Sequence, residues 1–405
     1  MKVLVFNCGS SSIKYRLYDM PSGENLSHGL VQRIGDRNSM ASQIAHSQEL
    51  SVWRPVSGHQ QGMELIAEML THPEKGVISS LDEIGACGHR VVHGGEAFTG
   101  SVKVDDKLEA TIEEYFDLAP LHNPPNLTGI KEAQRLFGNI PQVACFDTAF
   151  HQTIPEVAFL YALPYEFYQE NKVRRYGFHG TSHRFVARRA AELLGKDKYA
   201  VNLISCHLGN GCSVAAISQG KSIDTSMGLT PLEGLAMGTR SGDLDPEIVF
   251  FLQRKGFSPD ELSSILNKKS GLLGLSGVSN DVRDLEELAT GGHTRARLAL
   301  EVFAYRIRKY IGAYLAILKG VDGIIFTGGI GENGWLMRER ILSGLDHLGI
   351  ILDPQLNERA NGGELQIQSA ESRIKLFVIP TNEEIAIAHD TFRIASNGSY
   401  QTSIN

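Results

Sequence analysis

The sequence predicts an α/β protein made of two domains with related folds. Short apolar runs typical of strands alternate with amphipathic stretches typical of helices along the whole chain. The length of 405 residues exceeds that of an ordinary domain about two- to threefold, so two cores are expected. A strand, a glycine-rich turn and a second strand occur near the N-terminus and again near the middle, which indicates a duplicated domain.

The two glycine-rich turns carry the evidence for this duplication. In the first half, the apolar residues 3–6 lead into NCGSSS (residues 7–12), and residues 13–18 alternate apolar with polar side chains. In the second half, residues 201–206 lead into HLGNGC (residues 207–212), and residues 213–217 leave as a strand. Backbone N–H groups, three serine hydroxyls and Lys14 make the first turn suited to phosphate, with a plain hairpin turn as the alternative.

Five helical stretches accompany these turns. They are predicted at residues 105–118, 126–137, 183–194, 294–319 and 383–395. Asn126 is a candidate N-cap for the second of them, and Gly138 and Gly195 are placed to end the second and the third. The stretch at 294–319 has apolar residues on most faces, which predicts burial at a domain or subunit interface.

Composition and charge exclude several classes of protein. Hydrophobic residues make up 42% and charged residues 21% of the chain, a balance that excludes a disordered or fibrous protein. The formal net charge of −7 provides no basic footprint for nucleic acid. No run approaches the roughly 18 apolar residues that span a bilayer, and the N-terminus turns polar too soon for a signal peptide. Five cysteines without a C-x-x-C pair are typical of reduced thiols, so we expect a cytoplasmic protein without membrane partners.

The segment GIGENG (residues 329–334) fits the pattern G-x-G-x-x-G. A strand is predicted before it at residues 323–327 and a helix after it at residues 335–348. Asp353 lies where an acid that binds the ribose is expected, so a dinucleotide-dependent oxidoreductase is an alternative. Too few residues follow the motif to complete a doubly wound fold, which favours a simple nucleotide-binding turn.

Clusters of cationic side chains and isolated carboxylates supply the other candidate groups. The cationic segments are HRVVHGG (residues 89–95), RRYGFHGTSH (residues 174–183) and MGTRSGD (residues 237–243). Arginine forks suit carboxylate and phosphate, with ordinary ion pairs as the alternative. His179 and His183 have no obvious third metal ligand, so histidines at a helix start are the simpler interpretation. Asp147 follows a predicted strand, and Glu383 and Glu384 open the last helix, where Glu384 also fits a capping role.

Taken in order, these motifs resemble those of the acetate and propionate kinase family. The segments that carry the resemblance are NCGSSSIK (residues 7–14), HRVVHGG (89–95), APLHNP (119–124), FDTAFH (146–151), RYGFHGTSH (175–183), HLGNG (207–211), DTSMG (224–228), GTRSGD (238–243), FTGGIGEN (326–333) and PTNEE (380–384). They span nearly the whole chain, which makes the set far more specific than any one motif.

The resemblance implies a fold and an assembly. The fold is that of the sugar kinase, Hsp70 and actin superfamily, with two duplicated α/β domains and an interdomain ATP cleft. Residues 1–148 and 382–405 would form an N-terminal acyl-substrate domain with a returning C-terminal helix. Residues 149–381 would form the nucleotide-binding and dimerisation domain of a homodimer, which the long helix at 294–319 would suit.

The implied reaction is reversible transfer of a phosphoryl group from ATP to acetate, giving acetyl phosphate and ADP, in line and with Mg²⁺ or alternatively Mn²⁺. Acetate is ionised at neutral pH, so its activation needs no general base, and catalysis reduces to positioning and charge neutralisation. By resemblance, Arg90 and Arg240 grip the carboxylate and the phosphoryl group. His179 donates to the phosphoryl group without becoming phosphorylated. Asp147 matches an essential acid, which we interpret as orienting Arg240 or a metal-bound water.

The resemblance also assigns binding residues, position by position. Asn7 and Glu383 match the residues at Mg²⁺. The pocket for the acetate methyl group corresponds to Val92, Leu121, Phe178 and Pro231, together with Arg90. Nucleotide binding corresponds to Lys14, His207, Leu208, Gly209, Asn210, Gly211, Asp281, Val282, Arg283, Gly329, Ile330, Gly331 and Asn333. Val282 stands where some relatives carry an aromatic residue, so the contact with adenine is expected to differ. A valine at position 92 favours acetate, with propionate reacting more weakly.

Two other kinds of protein remain as alternatives. A butyrate or sugar kinase would use Asp147 as a base toward a hydroxyl group, but the apolar pocket fits a sugar poorly. An actin-like assembly protein would hydrolyse ATP only to change shape. The pair Arg90 and Arg240 argues against it, because a filament protein needs no clamp for a carboxylate.

Overall fold

A computed structural model describes residues 1–396, and the chain divides into two compact units. Unit 1 comprises Met1–Ala149 together with the chain from Asn382 onward, and unit 2 comprises Phe150–Thr381. This division of the chain does not test which substrate each domain binds. Residues 397–405, which the sequence assigns to the first domain, lie outside the described residues.

Each unit contains one mixed β-sheet. The strands of unit 1 are β1 Lys2–Cys8, β2 Ser12–Asp19, β3 Glu24–Gln32, β4 Met40–Ala45, β5 Gln48–Trp53, β6 Ile84–Val91, β7 Val102–Lys103 and β8 Gln142–Phe146. The strands of unit 2 are β9 Asn202–Leu208, β10 Cys212–Ser218, β11 Lys221–Thr225, β12 Gly323–Thr327, β13 Leu365–Gln366 and β14 Lys375–Val378.

Helices connect and cover these strands. They are α1 His59–Leu70, α2 Asp106–Glu114, α3 Asn123–Phe137, α4 Glu156–Phe159, α5 Glu166–Asn171, α6 Gly180–Leu193, α7 Glu247–Arg254, α8 Pro259–Lys268, α9 Gly271–Ser276, α10 Val282–Thr290, α11 Thr294–Ile317, α12 Gly328–Asn333, α13 Trp335–Leu342, α14 Pro354–Arg359 and α15 Glu383–Ser396. Short 3₁₀ turns lie at Leu81–Glu83, Ala149–Thr153 and Asp346–Leu348.

The two sheets repeat one topology, which confirms the predicted duplication and the α/β class. The sheet of unit 1 has the order β5-β4-β3-β2-β1-β6-β8-β7, and that of unit 2 has the order β11-β10-β9-β12-β14-β13. In unit 1 five antiparallel strands (β5 to β1) are followed by the parallel strands β6 and β8 and by the short antiparallel edge strand β7. Unit 2 repeats this order with three antiparallel strands (β11, β10, β9), the parallel strands β12 and β14 and the short antiparallel edge strand β13. Tight turns suffice for the antiparallel pairs, whereas each parallel pair needs a long crossover, which explains the helices in between.

The central strand β1 is buried on both sides. Leu4 and Phe6 pack on one face in a cluster that includes Met63 and Ile66 of α1, while Val3 and Val5 pack on the other face with residues of α15. Because successive side chains of a strand point to opposite faces, a strand covered on both sides is apolar throughout. The run at residues 3–6 is therefore the signature of a central strand, and the last helix completes the core of unit 1.

The long helix α11 is buried along one side only. Its buried residues recur at helical spacing, from Ala296 through Phe303 and Ile307 to Ile311. Leu298 and Tyr305 are instead more than half exposed, at 51% and 58%. The predicted burial on most faces is therefore only partly right, because apolar side chains such as these two lie on the surface of unit 2.

The helix starts were predicted less accurately than the strands. Helix α3 begins at Asn123 rather than after a cap at Asn126, and its first turn contains two prolines. The side chain of Asn126 has a different role, since its Oδ1 accepts from the Val92 N–H at 3.0 Å and its Nδ2 donates to the Cys8 carbonyl at 2.6 Å. This tertiary bridge between strands outweighs the local capping preference.

Other element limits also differ from the predictions. Helix α2 ends at Glu114 rather than at 118, α6 begins at Gly180 rather than at 183, and α13 ends at Leu342 rather than at 348. Gly138 and Gly195, by contrast, do end their helices with positive φ values of 66° and 63°. Within residues 1–396, no helix combines the length and the hydrophobicity needed to cross a membrane.

Candidate active site

In unit 1 a charged cluster forms where neighbouring parallel strands end. Arg90 lies near the end of β6, and Asp147 follows β8 directly. The Arg90 Nε contacts both oxygens of Asp147, at 3.2 and 3.1 Å, and the Nη2 contacts Oδ2 at 2.5 Å. The Asp147 side chain is only 1% exposed. This bidentate pair fixes the guanidinium of Arg90, so the partner of Asp147 in unit 1 is Arg90, which the sequence reasoning missed.

Glu383 and Asn7 complete this cluster. The Glu383 Oε2 lies 3.7 Å from the Arg90 Nε, and the Asn7 Oδ1 accepts from the Arg90 Nη1 at 3.4 Å. Burial raises the pKa of Glu383 to about 7; Arg90 opposes this shift, and the nearby carboxylates of Asp147 and Glu384 add to it. Burial disfavours the charge of Arg90, but the facing carboxylates outweigh it and raise the pKa of that guanidinium. The cluster therefore holds more negative charge than its cations compensate.

The donors at this position fit Mg²⁺. Throughout residues 1–396, no three His, Cys, Asp or Glu side chains are grouped so that they could hold a metal ion. Mg²⁺ does not require such a group, because it keeps several waters and binds through one or two carboxylates together with substrate phosphates. A partly buried carboxylate with a raised pKa and a neighbouring amide oxygen, those of Glu383 and Asn7, match this need.

The two apolar residues of unit 1 that the sequence assigns to the methyl pocket differ in burial. Val92 is 6% exposed, and its N–H is held by Asn126. The next residue, His93, exchanges two hydrogen bonds with the Asn123 side chain at 3.1 and 3.0 Å. Leu121 is 64% exposed. The backbone around Val92 is thus rigidly held, while Leu121 lies on the surface of unit 1.

In unit 2, His179 is held in an unusual backbone conformation just before α6. Its φ of 55° lies in the left-handed region that a histidine seldom adopts. Its Nδ1 lies 2.9 Å from the Ser213 Oγ, and its ring stacks on that of His207 with centroids 4.2 Å apart. Strained backbone conformations of this kind are frequent at functional positions. Here the conformation places the Nε2 edge of the imidazole ring beside Gly211.

Arg240 and His179 converge on Gly211. A Cβ atom added to Gly211 would lie 3.4 Å from the Arg240 Nη1 and 3.6 Å from the His179 Nε2. The Nη1 of Arg240 also lies 3.4 Å from the carbonyl of Pro231. None of the described residues of unit 2 pairs a carboxylate with Arg240, and burial lowers the pKa of its guanidinium. A partly buried cation beside a second donor and an open glycine is an arrangement that favours an anionic ligand.

A cavity of about 700 Å³ opens in unit 2 beside these residues. Its lining contains Gly209, Asn210, Asp281, Val282, Arg283, Gly329, Ile330 and Asn333, all from the predicted nucleotide set. Three separate chain segments therefore meet around one cavity, as a nucleotide site requires. Of the remaining predicted residues, Leu208 and Gly331 are buried beneath it, and Lys14 lies in unit 1, where its charge acts on Glu383.

The glycine motif at 329–334 is not the turn that the sequence predicts. Helix α12 follows β12 directly and includes most of the motif. Gly328 makes this junction possible, since its φ is 76° and an added Cβ would lie 2.7 Å from the Leu208 carbonyl. Asp353, the candidate ribose-binding acid, caps α14 by accepting from the N–H groups of Gln355 and Leu356. Asp353 is therefore a helix cap, and the oxidoreductase alternative no longer has a candidate carboxylate for binding the ribose.

Comparison with known proteins agrees with these features. A sequence profile of the Acetokinase family matches residues 2–389. The chain belongs to the acetokinase family. It is 52% identical over 397 residues to an acetate kinase of Clostridium botulinum (strain Kyoto / Type A2), covering 98% of this chain and 100% of that protein. The family resemblance inferred from the motifs is therefore confirmed, and the chain is an enzyme, a kinase.

Solved structures of the same family superpose closely on this acetokinase. A crystal structure of Porphyromonas gingivalis acetate kinase has a TM-score of 0.93 at 46% identity, covering 97% of this chain and 99% of that one. A propionate kinase from Francisella tularensis has a TM-score of 0.91 at 42% identity, with the same coverage. The α/β fold with two duplicated units that the resemblance implies is thus confirmed.

Sequence reasoning missed several residues that this acetokinase places around the cavity of unit 2. They are Asn280, Glu286, Gly334, Trp335 and Asn361. Trp335 had a usable signal, because it is one of two tryptophans in the chain and directly follows the glycine motif. Asn361 had none, since it comes from a loop after α14 that only the tertiary fold brings to the cavity.

Proposed function

We propose that this acetokinase transfers the γ-phosphoryl group of ATP reversibly to the carboxylate of acetate, giving acetyl phosphate and ADP. The observation that carries the proposal is the convergence of Arg240 and the Nε2 edge of His179 on Gly211. Two donors aimed at one open position, with no carboxylate of unit 2 on the arginine, suit a phosphoryl group whose equatorial oxygens carry the charge. The acetate and propionate kinases among its relatives support the choice of a small carboxylate as acceptor.

Both units contribute to this reaction. The cavity lined by Gly209, Asn210, Gly329 and Asn333 binds ATP. In unit 1, Arg90 binds the acetate carboxylate, and Asp147 holds the arginine fork in place. Acetate arrives ionised and attacks the γ-phosphorus directly, in line with the leaving ADP oxygen, so no residue removes a proton. His179 stabilises the transferring group by a hydrogen bond and is not phosphorylated.

Glu383 and Asn7 are the residues that would hold Mg²⁺, with Mn²⁺ as an alternative. When bound, the ion neutralises charge on the phosphates and helps to orient them. The excess of carboxylate over cation in the cluster of Asn7, Arg90, Asp147 and Glu383 supports this assignment.

Val92 supports acetate as the preferred acid. Its side chain is buried, and its backbone is held by Asn126, so it has little freedom to move aside for a longer acid. A hydrophobic pocket discriminates one methylene by only about 1–3 kcal/mol. Propionate should therefore react as well, but more weakly. Leu121, Phe178 and Pro231 are proposed to contribute the remaining apolar surface.

The chain is further proposed to form a homodimer through α7 rather than through α11 alone. No residue of α7 is buried within the chain. Its exposed apolar side chains, with that of the following loop, are Ile248 (43%), Phe250 (53%), Phe251 (50%) and Phe257 (41%). Such a concentration of exposed aromatic residues is typical of a surface that another protein covers. Light scattering of the wild type and of Phe250→Glu tests this, and a monomeric wild type would refute it.

The function is tested by trapping acyl phosphate with hydroxylamine from Mg-ATP and acetate, propionate or butyrate. We expect strong product with acetate that decreases with chain length. Arg240→Ala should abolish it, while Arg189→Ala, which removes an exposed arginine paired with Glu364, should not. Preference for propionate would overturn the argument from Val92, and ATP turnover without any acyl phosphate would overturn the proposed function.

A further inference from the structure

A chain of hydroxyl and imidazole groups leads from the interior of unit 2 to His179. The Ser205 Oγ lies 2.9 Å from the His183 Nδ1, the His183 Nε2 lies 2.7 Å from the Ser213 Oγ, and the Ser213 Oγ lies 2.9 Å from the His179 Nδ1. Ser205, Ser213 and His183 are all fully buried. Of the four groups only His179 belongs to the site proposed above.

The sheet register explains why these side chains meet. Ser205 and His207 are two residues apart in β9, so their side chains lie on the same face of the sheet, and Ser213 of β10 is paired with His207. Elsewhere on this face, Leu203 packs against apolar residues of α6. His183 lies in the first turn of α6 and reaches both serines. The face of β9 that packs against α6 is thus apolar at Leu203 and polar at Ser205 and His207.

A Ser213 hydroxyl that accepted from both imidazoles would leave its own buried hydrogen unsatisfied, so Ser213 donates to one imidazole and accepts from the other, which leaves two arrangements. Burial, with His151 and His207 nearby, holds the pKa of His183 well below its ordinary value, so this imidazole is neutral and has a single N–H. In the first arrangement, Ser205 donates to the His183 Nδ1, His183 donates from Nε2 to Ser213, and Ser213 donates to the His179 Nδ1. The proton of neutral His179 then lies on Nε2.

The second arrangement reverses every bond. His179 donates from Nδ1 to Ser213, Ser213 donates to the His183 Nε2, and His183 donates from Nδ1 to Ser205. The hydroxyl hydrogen of Ser205 is then left without an acceptor among the residues that the structure describes. Because an unsatisfied buried donor costs free energy, the first arrangement is favoured.

We propose that Ser205, His183 and Ser213 form a positioning relay that keeps the proton of neutral His179 on Nε2, facing the phosphoryl group. This inference rests on the proposed function, in which the Nε2 of His179 donates to that group. The Nε2 and the adjoining Cε1 of His179 are also the ring atoms that lie beside Gly211, together with the Arg240 Nη1. The opposite tautomer would aim a lone pair at an anion and weaken its binding.

The chain offers a matched control for this relay. Ser222 is equally buried, and its Oγ lies 2.8 Å from the Nδ1 of another buried histidine, His151. The His151 Nε2 lies 3.0 Å from the Phe178 carbonyl, which can only accept, so that contact alone keeps its proton on Nε2. Ser222→Ala therefore removes a similar hydroxyl without freeing any tautomer.

The test combines kinetics with a spectroscopic readout of the tautomer. Long-range ¹H–¹⁵N spectra of the full chain, labelled with ¹⁵N at histidine, distinguish a protonated from a bare ring nitrogen, and His179→Gln identifies the signals of His179. We expect a bare Nδ1 and a protonated Nε2 in the wild type. Ser205→Ala should mix the two forms and lower kcat about tenfold, at an unchanged KM for ATP. Ser205→Thr, which keeps the hydroxyl, should restore both, and Ser222→Ala should change neither.

Two results would overturn the relay. One is a wild type that phosphorylates acetate with His179 protonated on Nδ1 or on both nitrogens. The other is a Ser205→Ala variant with an unchanged spectrum and an unchanged kcat. Failure of the proposed function is a separate result, because the wild type would then form no acyl phosphate whatever the tautomer of His179. Circular dichroism of each variant identifies a loss of activity that comes from misfolding.

Discussion

Gly211→Ala is the substitution that tests the anion site most directly. The added methyl group would lie 3.4 Å from the Arg240 Nη1 and 3.6 Å from both the Cε1 and the Nε2 of His179. These are ordinary van der Waals distances, and the backbone of Gly211 does not have a positive φ. The protein should therefore fold normally, with a methyl group in the space beside both donors.

The size of the effect follows from the geometry. An oxygen bonded to either donor sits about 2.9 Å from its nitrogen, so the methyl group competes for the same space. A displacement of the phosphoryl group by roughly 1 Å costs about 10²-fold in rate. Replacing glycine by alanine at a compatible backbone conformation should itself stabilise the fold by about 0.4–1 kcal/mol. We therefore expect kcat to fall about 10²-fold with no loss of thermal stability.

The assay is acyl phosphate formation from Mg-ATP and acetate, alongside thermal unfolding of the same samples. Gly291→Ala is the matched control, because a Cβ there would meet the Leu288 carbonyl at 3.4 Å and the Glu287 carbonyl at 3.6 Å, at the end of α10. An active Gly211→Ala enzyme would refute the assignment of the phosphoryl position. If both the unfolding temperature and the activity fell, the argument that the added methyl group fits without strain would be contradicted.

Three further predictions concern the other parts of the site. Asp147→Asn should lower kcat/KM for acetate by about 10²-fold, because Arg90 loses the buried charge that holds its fork, and steady-state kinetics would contradict this if only the KM for ATP changed. Glu383→Gln should raise the Mg²⁺ concentration for half-maximal activity about tenfold or more, and an unchanged Mg²⁺ titration would remove Glu383 from the metal site. ATP should change the fluorescence of Trp335, which lines the nucleotide cavity, and the change should survive Trp53→Phe, since Trp53 is 65% exposed in unit 1.

Local patterns predicted the strands, and the glycine-rich turns after β1 and β9, well for a physical reason. The run at residues 3–6 is apolar at every position because both faces of β1 are covered, and the glycine-rich turns mark where β1 and β9 end. The same sequence misled where a side chain serves a distant partner. Asn126 looks like a helix cap, yet its amide joins the backbone of Val92 to that of Cys8.

In the candidate site, too, some features were predictable from the sequence and others were not. The residue types of the site and their order along the chain identified the family, the charged groups and eight residues of the cavity that is proposed to bind the nucleotide. The pairing of Arg90 with Asp147 could not be predicted from the sequence, because it depends on β6 and β8 being neighbours in one sheet.

The serines of the relay show the limit most clearly. Ser205 and Ser213 are ordinary strand residues in the sequence, and nothing around them indicates that they bond to histidines. The identity and order of the chemical groups reside in the amino-acid sequence, because backbone propensity and side-chain chemistry act locally. Which of those groups touch is decided by the sheet register and the packing of α6, since both join residues far apart along the chain.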